Sequence, residues 1–422
     1  MKRNIVIVLL SLVLISVVFA GGESESPADE MVVLRVWDRV AVMDEVVQKF
    51  NEKMEKEGRN VRAEFELIPY EQQVPKFMAA MTAGKAPDIY SLDLVLYPYF
   101  NSIGAFRDIT DRYEALPFKN ELPPKILELG MYEGAVYALP YEIDLSVMLW
   151  NKNMFADAGL DPEEPPKTWQ EMIEVARKLT KDTDGDRTVD QWGFAEVGND
   201  AGSYMFWFMP FVWSNGGAMF GDDGSVVLDS PETVEALQLW YDLIHTYEVA
   251  PKSSAQWSAG DRYNAFVAKK LGLFLGGNFY ITSIMKDAPD LDFGVTFMPR
   301  GKDDFYTFGG GNLIGITQQS KHPEEAWEFM EFAFSREVLV ECYAPKMMLV
   351  PRKDLYDNKY YAEVPQMKVF AEMLDHTKTQ YTTKHNQIYN PVLYYLQGAL
   401  LDRIDVKEAV YECAAEIRKL TE

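Results

Sequence analysis

Asp182, Asp184, Asp186 and Asp190 stand at relative positions 1, 3, 5 and 9 of one run. Carboxylates at that spacing imitate a calcium loop, where alternate oxygens converge on a hard cation. Gly185 falls at position 4 rather than 6, and position 12 is Gly193 instead of a glutamate, so a full EF-hand is excluded. Two readings remain: a single structural calcium, or a turn of solvated aspartates. In both, the run is a surface loop. Other reactive chemistry finds little support. None of the four histidines, His245, His322, His376 and His385, has an HExxH partner. The sequence contains no serine nucleophile elbow, P-loop or GxGxxG fingerprint. Cys342 and Cys413 are the two cysteines, and a disulfide and two free buried thiols are both open. This poverty of reactive motifs favours binding over catalysis, with no cofactor beyond the calcium reading.

The elements that would position a binding site are legible in the hydrophobic pattern. Residues 32–37 (VVLRVW) form a β-rich run, and Val42, Val46, Val47 and Phe50 follow at helical spacing. Residues 61–68 alternate as a second strand, 74–82 read as a helix closed by Gly84, and 87–91 as a third strand. This β-α-β-α-β order implies an α/β domain with an open, mostly parallel sheet. Ligands bind beyond the carboxyl ends of such strands. Those ends carry Trp37 and Asp38, Pro69 and Tyr70, and Ser91 to Asp93. Further on, 141–151 is a new β-rich run and 169–179 is helical, with Trp169, Met172, Ile173, Ala176 and Leu179 on one face. Asp229 and Ser230 before Pro231 start another helix. Strand character returns at 274–279, 293–297 and 313–316, and helices dominate from Pro323 onward.

Residues 1–20 read as an export signal: Lys2 and Arg3, an apolar stretch from Ile5 to Phe19, and small residues before Gly21. A retained membrane anchor is the alternative. Residues 21–30 are small, polar and acidic, and read as a disordered linker. The expected location is therefore periplasmic or extracellular. Hydrophobic content of 48% suffices for real cores in a chain of 422 residues, long enough for about two to three domains. A net charge of −24 repels nucleic acid and anionic lipid, so neither is an expected partner.

The chain also resembles the extracellular solute-binding proteins of ABC importers, in the sugar-binding cluster that includes maltose-binding protein. The likeness rests on an ordered series: TAGKAPDIY at 82–90, GAFRDIT at 104–110, YALPYEIDLSVMLWNKNMF at 137–155, TWQEMIEVARKLT at 168–180, DQWGF at 190–194, WSNGGAMFGDDGSVVLDSPETVEAL at 213–237, LGLFLGGNFY at 271–280, FGVTFMPRG at 293–301 and GGGNLIGIT at 309–317. Each is weak alone; their order carries the resemblance. It implies the two-lobed periplasmic-binding-protein fold, each lobe a mostly parallel sheet flanked by helices. Residues 31–140 with 271–320 would form one lobe, and 141–270 with 321–422 the other. The chain would cross near 140–142, 299–304 and 321–323, and close on ligand by hinge motion. The implied ligand is a sugar or short oligosaccharide, handed by a monomer to the membrane permease of an ABC transporter. A polyamine, a peptide and a glycoside-active enzyme are the rival readings.

Sugars need aromatic faces for their C–H groups, and carboxylates, amides or Arg for their hydroxyls. On the family's pattern Asp144 is the first polar candidate. Strand alternation puts Glu142 on the opposite face, or in the cleft if the segment is a loop. A hinge ion pair is the structural alternative for both. Trp37 and Asp38 begin the cleft, with a core role open for Trp37. Ser91 and Asp93 follow, either lining the cleft or capping the next helix. Phe279 aligns with a stacking tryptophan of the family. Asn278 precedes it, and Tyr280 is its rival. Gly309, Gly310 and Gly311 either admit a ligand close to the backbone or serve a hinge, and Asn312 adds an amide. Trp257, in a Ser/Ala-rich loop, is a stacking candidate, and Trp213 either lines the cleft or packs beneath it. Arg352 sits in the family's Pro-Arg pattern, where a surface ion pair is the favoured reading. Tyr389, Tyr394 and Tyr395 sit in the late helical region that sometimes supplies an aromatic to the cleft, and read mostly as core.

Overall fold

The computed structural model describes residues 31–196, 198–380 and 382–421. Residues 1–30, read above as an export signal and an acidic linker, lie outside the described residues. Among the described residues, no helix is long and apolar enough to cross a membrane.

The first half of the fold follows from the β-α-β-α-β pattern. Strands β1 (Val32–Asp38), β2 (Val61–Leu67) and β3 (Ile89–Asp93) pair in parallel, with β1 in the middle. The crossover helix Met43–Lys56 buries Met43, Val46, Val47, Phe50 and Met54, the apolar stripe of a 3.6-residue period. Asp44 and Glu45 in its first turn and Lys53 and Lys56 in its last complement its dipole. The second crossover helix, Gln73–Thr82, buries Phe77 edge-on to Tyr90, with ring centroids 4.9 Å apart.

A hairpin of β4 (Met131–Tyr132) and β5 (Ala135–Val136) leads into β6 (Leu139–Asn151), whose partners change midway. Leu139–Leu145 runs antiparallel to β9 (Thr307–Ile316), which also pairs with β3. Ser146–Asn151 pairs instead with β7 (Leu273–Gly277) and β8 (Phe293–Thr296), both antiparallel. A short β10 (Thr377–Lys378) lies parallel to the start of β9. The path β2-β1-β3-β9-β6-β7 is thus mixed. Among the described residues parallel strand pairing is confined to β1–β3 and β10–β9, each pair joined through helices as a parallel crossover requires. The expected mostly parallel sheet is therefore found in the first lobe alone.

The lobe boundaries differ from expectation in two places. Residues 271–306 were expected in the first lobe, yet β7 and β8 pair with the second half of β6. The helix Pro323–Ala333 was expected in the second lobe, yet it packs on Met43–Lys56, with Phe329 5.0 Å from Phe50. The partner change at Leu145–Ser146 marks the passage between lobes along β6. The helices His385–Leu400 and Val406–Thr421 pack against each other and against Pro231–His245 in the second lobe. Cys342 and Cys413 are both buried and unbonded to each other.

Candidate functional site

Where the lobes face each other lies a cavity of about 230 Å3. The first lobe contributes Arg39, one residue past β1, Tyr70 after β2, Asp93 at the end of β3 and Val95 in the turn that follows. Three successive strand ends therefore converge, as the topology of an open sheet requires. Asp144, Gly310 and Gly311 line it from paired β6 and β9. The second lobe supplies Asp200, Gly202, Ser203, Met205, Phe206, Trp207, Phe279, His385 and Tyr389.

Arg39 organises the polar wall. Its Nε donates to Asn312 Oδ1 at 2.6 Å, and its Nη2 lies 3.8 Å from Asp93 and 3.7 Å from Asp144. Asn312 Nδ2 donates in turn to Glu142 Oε2 at 3.1 Å and Asp38 Oδ1 at 3.3 Å. One guanidinium thus stands among four carboxylates. Burial pushes Asp38 up to about 7, against the Val40 N–H that donates to it. Burial also raises Asp93 and Asp144, with Arg39 pulling both back, and holds Glu142 well above its ordinary range, aided by the Asp144 charge.

The second-lobe wall comes from a helical run with a π turn, Tyr204–Phe208, between Ala201–Ser203 and Met209–Ser214. A π turn inserts a residue and re-aims the side chains around it. Here it brings Phe206 and Trp207 to the cavity. Phe206 packs 5.9 Å from Phe279 and 5.5 Å from Phe308, and Trp207 Nε1 donates to Gly276 O at 2.7 Å. Asp200 begins this run, its Oδ2 accepting from Ser203 N and Oγ. His385 and Tyr389 lie one turn apart on one helix, Nε2 and the hydroxyl 2.6 Å apart. Burial drives His385 down to about 4, so it is neutral at physiological pH.

Several sequence-derived candidates meet here: Asp93, Asp144, Phe279, Gly310, Gly311 and Tyr389 all line the cavity. Asp93 also caps the turn after β3, Oδ1 accepting from Val95 N at 3.2 Å. Gly311 has φ +109°, and a Cβ there would meet Glu142 O at 2.0 Å, so the site and the crossing both demand glycine. Gly309 faces Ile126 instead. Asp38, Ser91, Glu142 and Asn312 are buried behind the polar wall rather than in it. Glu142 does not face away from Asp144: residues two apart on a strand share a face, and both sense Arg39.

Other candidates lie elsewhere. Trp37 is 6% exposed and packs edge-on to Tyr90, a core role. Asn278 donates to Ile143 O and accepts from Leu145 N, bracing the strand that carries Asp144. Tyr280 stacks on Tyr263 at 5.2 Å. Trp257 borders a separate depression with Trp192, Asp190 and Lys270, because its loop turns away from the cleft. Trp213 is buried and stacks on Phe308, beneath the cavity. Arg352 pairs with Asp354 and covers Phe118. Tyr394 and Tyr395 lie outside the lining. A larger hollow of about 560 Å3 lies between Trp169, Ile173 and Leu239; its Glu235 pairs with Lys302 and accepts from buried Asn215 Nδ2 at 2.7 Å.

In the aspartate run, oxygens of Asp182, Asp184 and Asp186 lie within 4.8 Å of one another. Asp190 turns instead to Thr183, accepting from its N–H and hydroxyl. Asp182 accepts from three backbone N–H groups, those of Asp184, Gly185 and Arg187, which hold its carboxyl below the ordinary range.

Sequence reasoning missed Arg39, Asp200, Phe206, Trp207 and His385. Arg39 immediately follows a strand end. His385 and Tyr389 share the four-residue spacing of one helix face, a signal visible in the sequence.

With this geometry in view, comparison with known proteins gives the class. The chain belongs to the bacterial extracellular solute-binding proteins, whose family model matches residues 38–339. It is 25% identical over 332 residues to an arabinooligosaccharide-binding protein of Halalkalibacterium halodurans, covering 77% of this chain and 71% of that one. Among solved structures, a solute-binding protein of Thermotoga lettingae bound with α-D-tagatose is 26% identical with a TM-score of 0.78, covering 93% of this chain and 100% of that one. A maltose-bound T. maritima protein, 20% identical with a TM-score of 0.76, covers 92% and 100% and shares the fold.

Proposed function

We propose that this protein binds a sugar or short oligosaccharide outside the cytoplasm and delivers it, as a monomer, to the permease of an ABC transporter. The observation that carries this reading is the pairing of ring and acid in one small cavity. Phe206, Trp207, Phe279 and Tyr389 offer apolar faces, and Asp93, Asp144 and Asp200 offer acceptors for hydroxyl donors. The tagatose-bound and arabinooligosaccharide-binding relatives support the same ligand class. First-lobe Arg39, Asp93 and Tyr70 face second-lobe Asp200, Phe206 and Tyr389, so closing the lobes buries whatever lies between.

A hydrolytic role fits less well. A glycosidase sets two carboxyl groups on either side of the scissile bond. Asp93 and Asp144 share one guanidinium and so lie along the same wall, and Asp200 across from them caps its own helical run, its Oδ2 accepting from Ser203 N and Oγ. A single structural calcium at Asp182, Asp184 and Asp186 is a secondary reading, carried by the 4.8 Å clustering of their oxygens.

Thermal unfolding against a panel of mono- and oligosaccharides tests the main reading. A bound sugar at 100 times its Kd adds about 2.7 kcal/mol and raises Tm. A shift with polyamines or peptides and none with sugars would replace it, and sugar cleavage during the assay would favour the enzyme.

A further inference from the structure

We propose that the preferred ligand of this cavity carries a protonated amine, making it an amino sugar or other basic saccharide rather than a neutral one. This deepens the saccharide reading above and rests on it.

The argument begins with charge. The cavity is lined by three carboxylates, Asp93, Asp144 and Asp200, and by one guanidinium, Arg39; among the described residues no lysine or second arginine faces it. Arg39 is already committed, to Asn312 through Nε and to Asp93 and Asp144 through Nη2. Its contacts with these two carboxylates, at 3.8 and 3.7 Å, are long for charge-assisted hydrogen bonds. Behind it, Asp38 and Glu142 also lie within reach of the same guanidinium, but burial raises both, so the surplus negative charge is that of Asp93, Asp144 and Asp200 against Arg39. His385 adds no positive charge, since burial keeps it neutral. Like charges brought together away from water are costly unless an opposite charge joins them. A neutral sugar closing this cavity would strip solvent from the surplus carboxylates and leave them unneutralised. An ammonium group would neutralise them.

Two further features suit a cation. Six aromatic side chains line the same space: Tyr70, Phe206, Trp207, Phe279, Phe308 and Tyr389. Ring faces attract ammonium groups, more strongly as water is excluded. Moreover His385 is 4% exposed, lines the cavity, and its Nδ1 has no hydrogen-bond partner among the described residues. In the tautomer whose Nε2–H donates to Tyr389, that nitrogen is an acceptor left without a donor. The volume of about 230 Å3 lies below the ~300–1,000 Å3 of drug-sized sites and points to a small guest.

Isothermal titration with the intact protein tests this, using pairs that differ only at C2: glucose and glucosamine, galactose and galactosamine, cellobiose and the glucosamine dimer. Spermidine serves as a cation without a sugar ring. At pH 6.5 and low salt the best amino member should bind about tenfold or more tighter than its neutral twin. That advantage should shrink as salt is raised, and in Asp93→Asn and in Asp144→Asn. The salt series on the unaltered protein stands even if either variant fails to fold. Neutral members binding as tightly as amino members would overturn the inference and leave the saccharide reading standing. Binding of spermidine alone, or of nothing in the panel, would overturn both.

Discussion

Arg39 Nη2 stands 3.7 Å from Asp144 Oδ2, tying the loop after β1 to the strand that passes between the lobes. The same nitrogen lies 3.8 Å from Asp93, and both acidic side chains are 17% exposed. Removing one partner of a largely buried pair strands the others, which costs about 3–5 kcal/mol when burial is complete. Arg39→Ala should therefore destabilise the protein toward the low end of that range at pH 7. Urea unfolding checks this, and a loss under about 1 kcal/mol would mean solvent already screens the cluster.

Gly311 occupies the register position opposite Ile143, with φ +109°. A methyl group there would sit 2.0 Å from Glu142 O, which is backbone and cannot swing aside. Gly311→Ala should cost well over about 1 kcal/mol, the scale on which an incompatible φ alone is felt. It should weaken ligand binding as well, because Glu142 and Asp144 flank the displaced strand. Unchanged unfolding midpoints in Gly311→Ala would show that β6 and β9 slide freely.

Much of this site was legible, and what was missed has physical reasons. A β-rich run at 32–37 and an alternating run at 61–68 located β1 and β2, and the rule that open sheets bind at strand ends led to Asp93. The same rule over-reached at Trp37, because a large ring at the end of a strand packs equally well against Tyr90 beneath it. Asp144, Phe279 and the glycines came from the family pattern, and the structure brings them together. Phe206 and Trp207 lie in the apolar run 204–213, where nothing in the residue pattern separates them from core until the π turn aims two of its rings at the cavity. Trp257 misled for the opposite reason. Its polar loop suggested a ligand-facing ring, yet that loop borders another hollow. Lobe membership of β7 and β8 was invisible locally, since pairing partners are set by tertiary contacts that no strand pattern encodes.

Asp38 makes stability depend on pH. Its carboxyl is pushed up to about 7 by burial, whereas in an unfolded chain it titrates near ~3.9. Between those values the folded state holds the proton more tightly, so this group's contribution falls as pH rises from about 4 through 7. His385 acts in the opposite sense: burial lowers it to about 4, so stability is lost as pH falls below about 6.5. Asp38→Asn removes only the first effect. The stability of the variant relative to the parent should therefore rise with pH from 4 to 8, by at most about 4 kcal/mol at ~1.4 kcal/mol per pKa unit. Chemical denaturation at several pH values reads this out, and parallel curves for the two proteins would refute it.

Arg262 is fully buried, its guanidinium 4.1 Å from the Trp207 ring centroid and 5.3 Å from that of Phe274, and none of its three nitrogens has a hydrogen-bond partner among the described residues. Burial lowers it to about 9 and pushes neighbouring Glu196 up to about 8, so the carboxyl is mostly protonated at pH 7. Removing the guanidinium would not strand a buried carboxylate, and the lost cation–π contact is worth ~2 kcal/mol at this depth. Against that stands the desolvation of an unpaired buried charge, several kcal/mol. Desolvation is the larger effect, so Arg262→Met, which keeps the apolar stem, should match or exceed the parent in urea unfolding. A loss above about 3 kcal/mol would reverse that balance and mark Arg262 as the support that holds Trp207 against the ligand.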